Sequence, residues 1–248
     1  MELPARFATE GIAVVIPALD EEKAIPPTLA DLESLGLLAS TVVVDNGSVD
    51  RTSVVARAAG ARAVPEPRKG YGSACLRGLD FVRREIPGTR VVVFLDADRS
   101  DDPRMIPDLV APILGGQYDL VLGSRALGRS EPGAILLHQR FGNALACGAI
   151  RAFFGHRYTD LGPFRAIRLA ALDRLEMADT GFGWTVEMQV KAVQAGLRIR
   201  EIPVPYRPRV GRSKISGTVS GSAKAALKIG WTVAALRLKA FTPSRESS

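Results

Sequence analysis

The chain has 248 residues, 46% of them hydrophobic, with 24 glycines and 16 prolines; that suits one α/β domain with a sizeable core, and the lack of any repeat at a period of roughly 20–50 residues excludes a solenoid. The formal charge is +7, with Arg198, Arg200, Arg207, Arg209, Arg212 and Lys214 set against Glu201 alone, so an anionic partner is expected, though not nucleic acid, since no aromatics are interleaved for stacking. Cys75 and Cys147 have no Cys or His at metal-ligand spacing and read as buried thiols, and with no apolar leader and no uncharged apolar run of about 18 residues the expectation is a cytoplasmic protein without a membrane span.

Strand and helix patterns alternate from the start, the signature of a mostly parallel sheet flanked by helices. Ile12–Ile16 is a first strand, closed by Pro17-Ala18-Leu19-Asp20-Glu21-Glu22 and followed by a helix with Ile25, Leu29 and Leu32 on one face. Thr41–Val44 is a second strand and runs directly into Asp45-Asn46-Gly47-Ser48-Val49-Asp50-Arg51-Thr52. Asn-Gly is a turn signal, and Ser48 or Asp50 is suited to cap a helix through Ala59. A short strand at Arg62–Val64 precedes Arg68-Lys69-Gly70-Tyr71-Gly72 and a helix through Arg84.

Val91–Leu95 is a continuous apolar run, as expected of a strand buried on both faces. It delivers Asp96 and Asp98, which an extended backbone points to the same side. With Asp101 and Asp102 that makes four carboxylates within seven residues, which repel one another unless a cation sits among them. Mg2+ or Mn2+ takes carboxylate oxygens and completes its shell with water and substrate phosphates. Asp101-Asp102-Pro103 also suits a helix N-terminus, which accounts for those two acids and leaves Asp96 and Asp98 to the metal-phosphate reading. Pro103–Leu114 reads as a helix with Ile106, Leu109, Val110 and Ile113 inward, and the strand Asp119–Leu122 ends in Gly123-Ser124-Arg125. Acidic turns after Ile16, Val44 and Leu95 suggest a nucleotide crevice along one sheet edge. No G-x-G-x-x-G follows the first strand, which disfavours a dinucleotide dehydrogenase.

The second half is less regular. Gly142–Phe154 reads as an apolar helix, and Thr159-Asp160-Leu161-Gly162-Pro163-Phe164-Arg165 as a turn feeding a short strand. Gly181-Phe182-Gly183-Trp184 leads into a helix with Glu187 near its start, and Leu197–Ile202 is the last clear strand. Phe182 and Trp184 line an acceptor groove on one reading and pack in the core on the other. His138 and His156 take no role. The Arg207–Lys214 loop is expected to stand open until phosphates neutralise it. From Val219 to Ala240, Ala223, Ala226, Leu227, Trp231, Ala234 and Leu238 recur at helical spacing. Such a C-terminal amphipathic helix suits a membrane interface, its own core, or a twin subunit in a homodimer.

Taken in order, Ile16-Pro17-Ala18-Leu19-Asp20-Glu21-Glu22, Val44-Asp45 through Thr52, Lys69-Gly70 with Gly78, Asp96-Ala97-Asp98, Gly123-Ser124-Arg125, Gly162-Pro163-Phe164-Arg165, Glu187 and Arg209-Val210-Gly211-Arg212-Ser213-Lys214 form a pattern. The chain resembles family 2 glycosyltransferases of the Rossmann-like GT-A fold, closest in layout to soluble dolichol- or polyprenyl-phosphate sugar synthases. The resemblance implies a GT-A domain over residues 1–214, with a nucleotide-sugar half to about 125 and an acceptor half from 126, then a C-terminal helix and tail over 215–248. It implies inverting, metal-dependent transfer from a nucleoside-diphosphate sugar, with Mg2+ or Mn2+, to a polyprenyl-phosphate-like acceptor or a soluble hydroxyl. An enzyme of that kind works in the cytoplasm or on the inner face of the membrane.

By position, the resemblance implies that Pro17, Ala18, Asp20 and Glu22 border the base and ribose. Asp45 accepts a hydrogen bond from the base, with Gly47, Ser48 and Lys69 beside the nucleotide. Asp96 and Ala97 hold the ribose or sugar, and Asp98 ligates the metal. Arg209, Ser213 and Lys214 close over the phosphates, and Arg125, Phe164, Arg165 and Trp184 meet the acceptor. A phosphate acceptor, with second pKa about 6, is already ionised and needs no base. A hydroxyl needs one, and Glu187 or Asp160 is the candidate, a helix N-terminal acid and a turn residue being their plainer readings. Two other classes compete. A sugar nucleotidyltransferase wants a Gly-rich phosphate loop where Pro17-Ala18-Leu19-Asp20 stands. A non-enzymatic binder of anionic surfaces leaves Asp45, Asp96 and Asp98 without purpose.

Overall fold

Ile12–Ala18, Thr41–Asp45 and Val91–Phe94 are Val- and Ile-rich runs with no polar alternation, and they become the buried centre of a sheet. The computed structural model describes residues 11–211. In chain order these residues form β1 (Ile12–Ala18), α1 (Ile25–Ser34), β2 (Thr41–Asp45), α2 (Thr52–Ala58), β3 (Arg62–Pro65), α3 (Tyr71–Glu85), β4 (Val91–Phe94), α4 (Ile106–Leu114), β5 (Leu120–Ser124), α5 (Leu137–Phe154), β6 (Arg165–Arg168), α6 (Leu169–Arg174), α7 (Trp184–Gln194) and β7 (Ile199–Pro203).

The strands make one sheet in the order β3-β2-β1-β4-β6-β5-β7. Neighbours pair in parallel except β6, which runs antiparallel between β4 and β5, with Phe94 and Leu122 both opposite Arg165. Side chains alternate between two cores. Ala13, Val15, Val44 and Phe94 pack with α3, α5, α6 and α7, while Val14, Ile16, Val43 and Val93 pack with α1, α2 and α4. With both faces covered, a strand has no solvent side to mark with polar residues, which is why these runs are apolar throughout. α3 lies tight on β1 and β2 because of Gly78. A Cβ there would come within 2.4 Å of Val15 Cγ1, closer than any real contact.

The helix expected from Gly142 begins five residues earlier, at Leu137, where the Gln139 side chain accepts a hydrogen bond from the Leu136 N–H at 3.0 Å. The expected helix from Pro103 opens as a 3-10 turn, Pro103–Met105, before α4 proper. α6 follows β6 without a break and had no separate signal. No helix among the described residues is long and apolar enough to cross a membrane. The amphipathic pattern at Val219–Ala240 lies outside the described residues, as do Ser213 and Lys214.

Candidate active site

The carboxyl ends of β1, β2 and β4 meet around a cavity of about 230 Å³. Its wall takes Pro17, Ala18, Leu19 and Glu21 from the end of β1, Asn46 from β2, and Lys69, Gly70, Tyr71 and Ala74 from the start of α3. Asp96, Ala97 and Asp98 come from the turn after β4, Phe182 from the loop before α7, and Arg209 from the chain beyond β7. Of the residues expected at the nucleotide and phosphates, Pro17, Ala18, Lys69, Asp96, Ala97, Asp98 and Arg209 are thus gathered in one place.

Asp20, Glu22, Asp45, Gly47 and Ser48 are not on that wall. Asp45 is turned into its own loop, where Oδ1 accepts from the Ser48 N–H at 2.9 Å and Oδ2 from the Ser53 hydroxyl at 2.5 Å. Partial burial pushes its carboxyl up, but the Ser48 and Ser53 hydrogen bonds outweigh this and hold it below 3.8. Asp20 accepts from the Val49 N–H at 2.8 Å and Glu22 from the Arg51 N–H at 3.1 Å. The return bonds run from the Asp20 N–H to Ser48 Oγ, from the Glu21 N–H to Thr52 Oγ1 and from the Glu22 N–H to Asp50 Oδ2. The two acidic loops therefore clasp each other. Asp20, Glu22 and Asp50 border a second cavity, of about 220 Å³, closed by Val210 and Gly211.

Asn46 is the residue of this loop that reaches the first cavity, and the sequence reading gave it no role. Its amide donates to the Glu66 and Arg68 carbonyls at 3.1 and 2.8 Å, and its oxygen accepts from the Gly70 N–H at 2.7 Å. It thereby holds the segment that carries Lys69. Gly70, at φ 142°, leaves room for the Thr180 carbonyl, which would lie 2.1 Å from a Cβ.

Beyond β4 the strand geometry has ended, so Asp96 and Asp98 are placed by a turn and not by alternation. Arg99 takes a left-handed φ of 62° and pairs with Asp31 at 3.1 Å. That turn brings the Ser100 N–H and hydroxyl back onto Asp98 Oδ1 at 2.9 and 2.5 Å. Asp98 Oδ2 accepts from Arg209, through Nε at 3.0 Å and in an ion pair with Nη2. The described part of the loop expected to stand open, residues 207–211, is laid down along this acid segment as a strap. The Arg207 and Val210 N–H groups donate to the Ser100 and Asp98 carbonyls, and Arg207 pairs with Asp102 at 2.6 Å. The carboxylates neutralise the arginines before any phosphate is needed.

Asp96 lines the same cavity and keeps a buried, unpaired Oδ1. Burial raises its carboxyl above 3.8 against the opposing pull of the Tyr71 hydroxyl, which stands beside it outside hydrogen-bond geometry, and of Arg209 and Arg125. Asp101, buried behind the strap with both oxygens unpaired, is pushed up to about 8 by burial and by Asp96. Among the described residues no three His, Cys, Asp or Glu side chains are grouped as a metal site. The oxygen set still fits Mg2+ or Mn2+, because such ions are commonly held by one or two carboxylates plus phosphates and water, and Asp96 Oδ1 is an orphan that a cation would satisfy.

The acceptor-half expectations need correction. Phe164 and Trp184 are core residues, at 0% and 1% exposure, and Trp184 packs edge-on against Phe94 with ring centroids 5.9 Å apart. Arg165 is also fully buried, donating to the Thr185 carbonyl at 3.0 Å and to those of Pro163 and Gly162. None of the three lines the cavity; Tyr71 and Phe182, the latter 43% exposed, are the aromatics that do. Arg125 is clamped by Asp160 in two parallel bonds of 2.7 Å, with a third from its own N–H at 2.8 Å, and lies 5.0 Å over the Tyr206 ring. The Asp160 carboxylate is committed. So is that of Glu187, which accepts from the Ala178 and Asp179 N–H groups at 3.0 and 2.8 Å and pairs with Lys191 at 2.8 Å.

The model of the family described as "Glycosyl transferase family 2" matches residues 13–178. An uncharacterized glycosyltransferase of Mycobacterium tuberculosis is 38% identical over 232 residues, covering 92% of this chain and 99% of the relative. A dolichyl-phosphate hexose transferase of Haloferax volcanii is 30% identical over 218 residues, covering 88% and 92%. Among solved structures, glucosyl-3-phosphoglycerate synthase of Mycobacterium tuberculosis with Mn2+, uridine diphosphate and phosphoglyceric acid matches at TM-score 0.74 and 25% identity, covering 97% of this chain and 82% of that one. A crystal of the same synthase with Mg2+ and uridine diphosphate matches at TM-score 0.72 and 26% identity, covering 97% and 83%.

Proposed function

The chain belongs to glycosyltransferase family 2 and carries its GT-A fold, and from that footing we propose that it moves a sugar, with inversion, from a nucleoside-diphosphate sugar to a polyprenyl-phosphate-like acceptor. The cavity carries the reading. It sets two carboxylates, Asp96 and Asp98, opposite two cations, Lys69 and Arg209, where three parallel strands end.

An acceptor oxygen attacks the anomeric carbon as the bond from that carbon to the β-phosphate oxygen breaks, and the electron pair leaves on the nucleoside diphosphate. Lys69 and Arg209 supply positive charge where negative charge builds, the electrostatic contribution that usually dominates such transfers. Asp98, with Asp96, is the set that would hold Mg2+ or Mn2+, which would add Lewis-acid stabilisation of the departing diphosphate. Asn46 keeps Lys69 in place through the Glu66–Gly70 segment.

The base side supports this acceptor class. Glu187 and Asp160 each spend their oxygens on fixed partners. A phosphate monoester, with second pKa about 6, is a nucleophile that needs neither. The dolichyl-phosphate relative supports the same choice. A second reading, transfer to the hydroxyl of a soluble phosphorylated acid, is favoured by the synthase that binds phosphoglyceric acid. Nucleoside diphosphate release, measured with Mg2+ or Mn2+ over a panel of nucleotide sugars, separates the two. Polyprenyl phosphate in detergent should stimulate release and take up labelled sugar; stimulation by phosphoglyceric acid alone would move the assignment to the second reading.

A further inference from the structure

Helix α5 presents an outer face that nothing in the described chain covers. Leu137 is 83% exposed, Phe141 73% and Leu145 63%, and exposed Ala144, Gly148 and Ala152 complete one stripe at helical spacing. The opposite face buries Ala146, Cys147 and Ile150 in the core shared with α7. Large hydrophobes scattered singly over a surface mean little, but a contiguous stripe of them marks a docking face. The helix itself carries charge of one sign. Leu137–Phe154 contains Arg140, Arg151 and no acid, and in the flanking chain Arg129 and Arg157 stand exposed against Glu131, so the face keeps a net positive charge. Arg140 and Arg151 are about three turns apart and so lie along one edge of the stripe.

The geometry points to this face as the surface by which the protein lies on an anionic bilayer, with Leu137, Phe141 and Leu145 at the acyl boundary and Arg140 and Arg151 at the headgroups. A helix with an apolar stripe edged by arginine suits that position. Charge decides against the other occupants. A second copy would bring the same basic face. The chain's own segment 219–240 holds Lys224, Lys228, Arg237 and Lys239 and again no acid. Only an anionic surface complements the stripe. α5 is also tied to the Asp160 turn, since Asn143 donates to the Thr159 carbonyl and accepts from the Leu161 N–H. In its use, delivering a lipid phosphate to the cavity, the inference rests on the polyprenyl-phosphate reading.

The full-length protein is sedimented at low salt with vesicles of phosphatidylcholine and phosphatidylglycerol in equal parts, and with phosphatidylcholine alone. The wild type should bind the anionic vesicles, and Phe141→Asp with Leu145→Asp should weaken partitioning by about tenfold or more at unchanged melting temperature. Arg140→Glu with Arg151→Glu should weaken it too and remove most of its salt dependence. Val54→Asp, at an apolar position 49% exposed on α2, should leave binding as it was. A wild type that ignores anionic vesicles, or an apolar double variant that binds undiminished, overturns the inference. These vesicles contain no polyprenyl phosphate. Failure here would leave the acceptor reading standing, and failure to glycosylate polyprenyl phosphate in detergent would leave the docking face standing.

Discussion

Two acidic stretches close the same edge of the sheet and spend their charge differently. At the ends of β1 and β2, Asp20, Glu22 and Asp45 each accept a backbone N–H, from Val49, Arg51 and Ser48. Beyond β4, Asp98 and Asp102 each give one oxygen to a backbone N–H, of Ser100 and Arg104, and the other to Arg209 and Arg207 of the strap; no side chain meets Asp101, and Asp96 keeps one bare oxygen. A carboxylate oxygen answered by an amide cannot change partner without unmaking a loop. One answered by an arginine side chain can exchange it for another ion by rotamer motion alone. The first stretch is a clasp and the second is where a ligand can enter.

Substitutions can break that contrast. The largest expected effect is Asp98→Ala, which should cut transfer by about 10²–10³-fold, as loss of a preorganised electrostatic group does, in a protein that still melts cooperatively. Near-wild-type product release at saturating Mg2+ or Mn2+ would move the reaction centre away from β4. Asp160→Ala should do the reverse and lower stability in urea by about 3 kcal/mol, because Arg125, at 21% side-chain exposure, is left without its carboxylate. A variant as stable as wild type would mean that Arg125 finds another anion.

Next comes Asp101. Its folded carboxyl titrates at about 8 and its unfolded one near 3.8, so over that window the unfolded chain has lost a proton that the folded chain keeps. Stability therefore falls as pH rises from about 4 to about 8, and Asp101→Asn should remove that slope, at most about 1.4 kcal/mol per pH unit. Denaturation curves at several pH values test this; parallel curves for the two proteins would mean the carboxyl ionises freely. The smallest effects sharpen the clasp itself. Asp45→Ala should cost about 1 kcal/mol of stability, as loss of a capping carboxylate does, with little change in nucleoside-diphosphate affinity. Asn46→Ala, which frees the Lys69 segment, should weaken that affinity several-fold by calorimetry. Equal affinities would detach Lys69 from the nucleotide.

Periodicity and strand-end chemistry made much of this legible. The apolar runs at Ile12, Thr41 and Val91 announced the central strands, and the acids after them announced the edge where the cavity lies. What could not be read is what depends on partners distant in the chain. Asp45 and Asn46 are adjacent, and the acid looked the better ligand; the structure turns Asp45 toward Ser48 and Ser53 and leaves Asn46 at the cavity. Arg165 and Trp184 carry groups common in binding sites, and no local pattern says that β6 and α7 bury them. Tyr71 came without a signal, one aromatic in a Gly-rich turn. The α5 helix was read as apolar, but its outward stripe is visible only once the inward one has been assigned.

The antiparallel insertion of β6 has a consequence for how the sheet is assembled. β1 to β4 find their first partners within the N-terminal stretch, whereas β5 pairs only with β6 and β7, Leu120 lying against Ile167 and Ile199. While the chain is being synthesised, β5 has no neighbour until β6 has emerged, and only one until β7 follows. The β1–β4 end can thus settle first, and the largely apolar β5 edge waits unpaired, the kind of exposure that makes partly folded chains associate. Pulse-labelled hydrogen exchange during refolding should protect the amides of β1 and β2 before those of β5. Simultaneous protection would make the sheet a single folding unit.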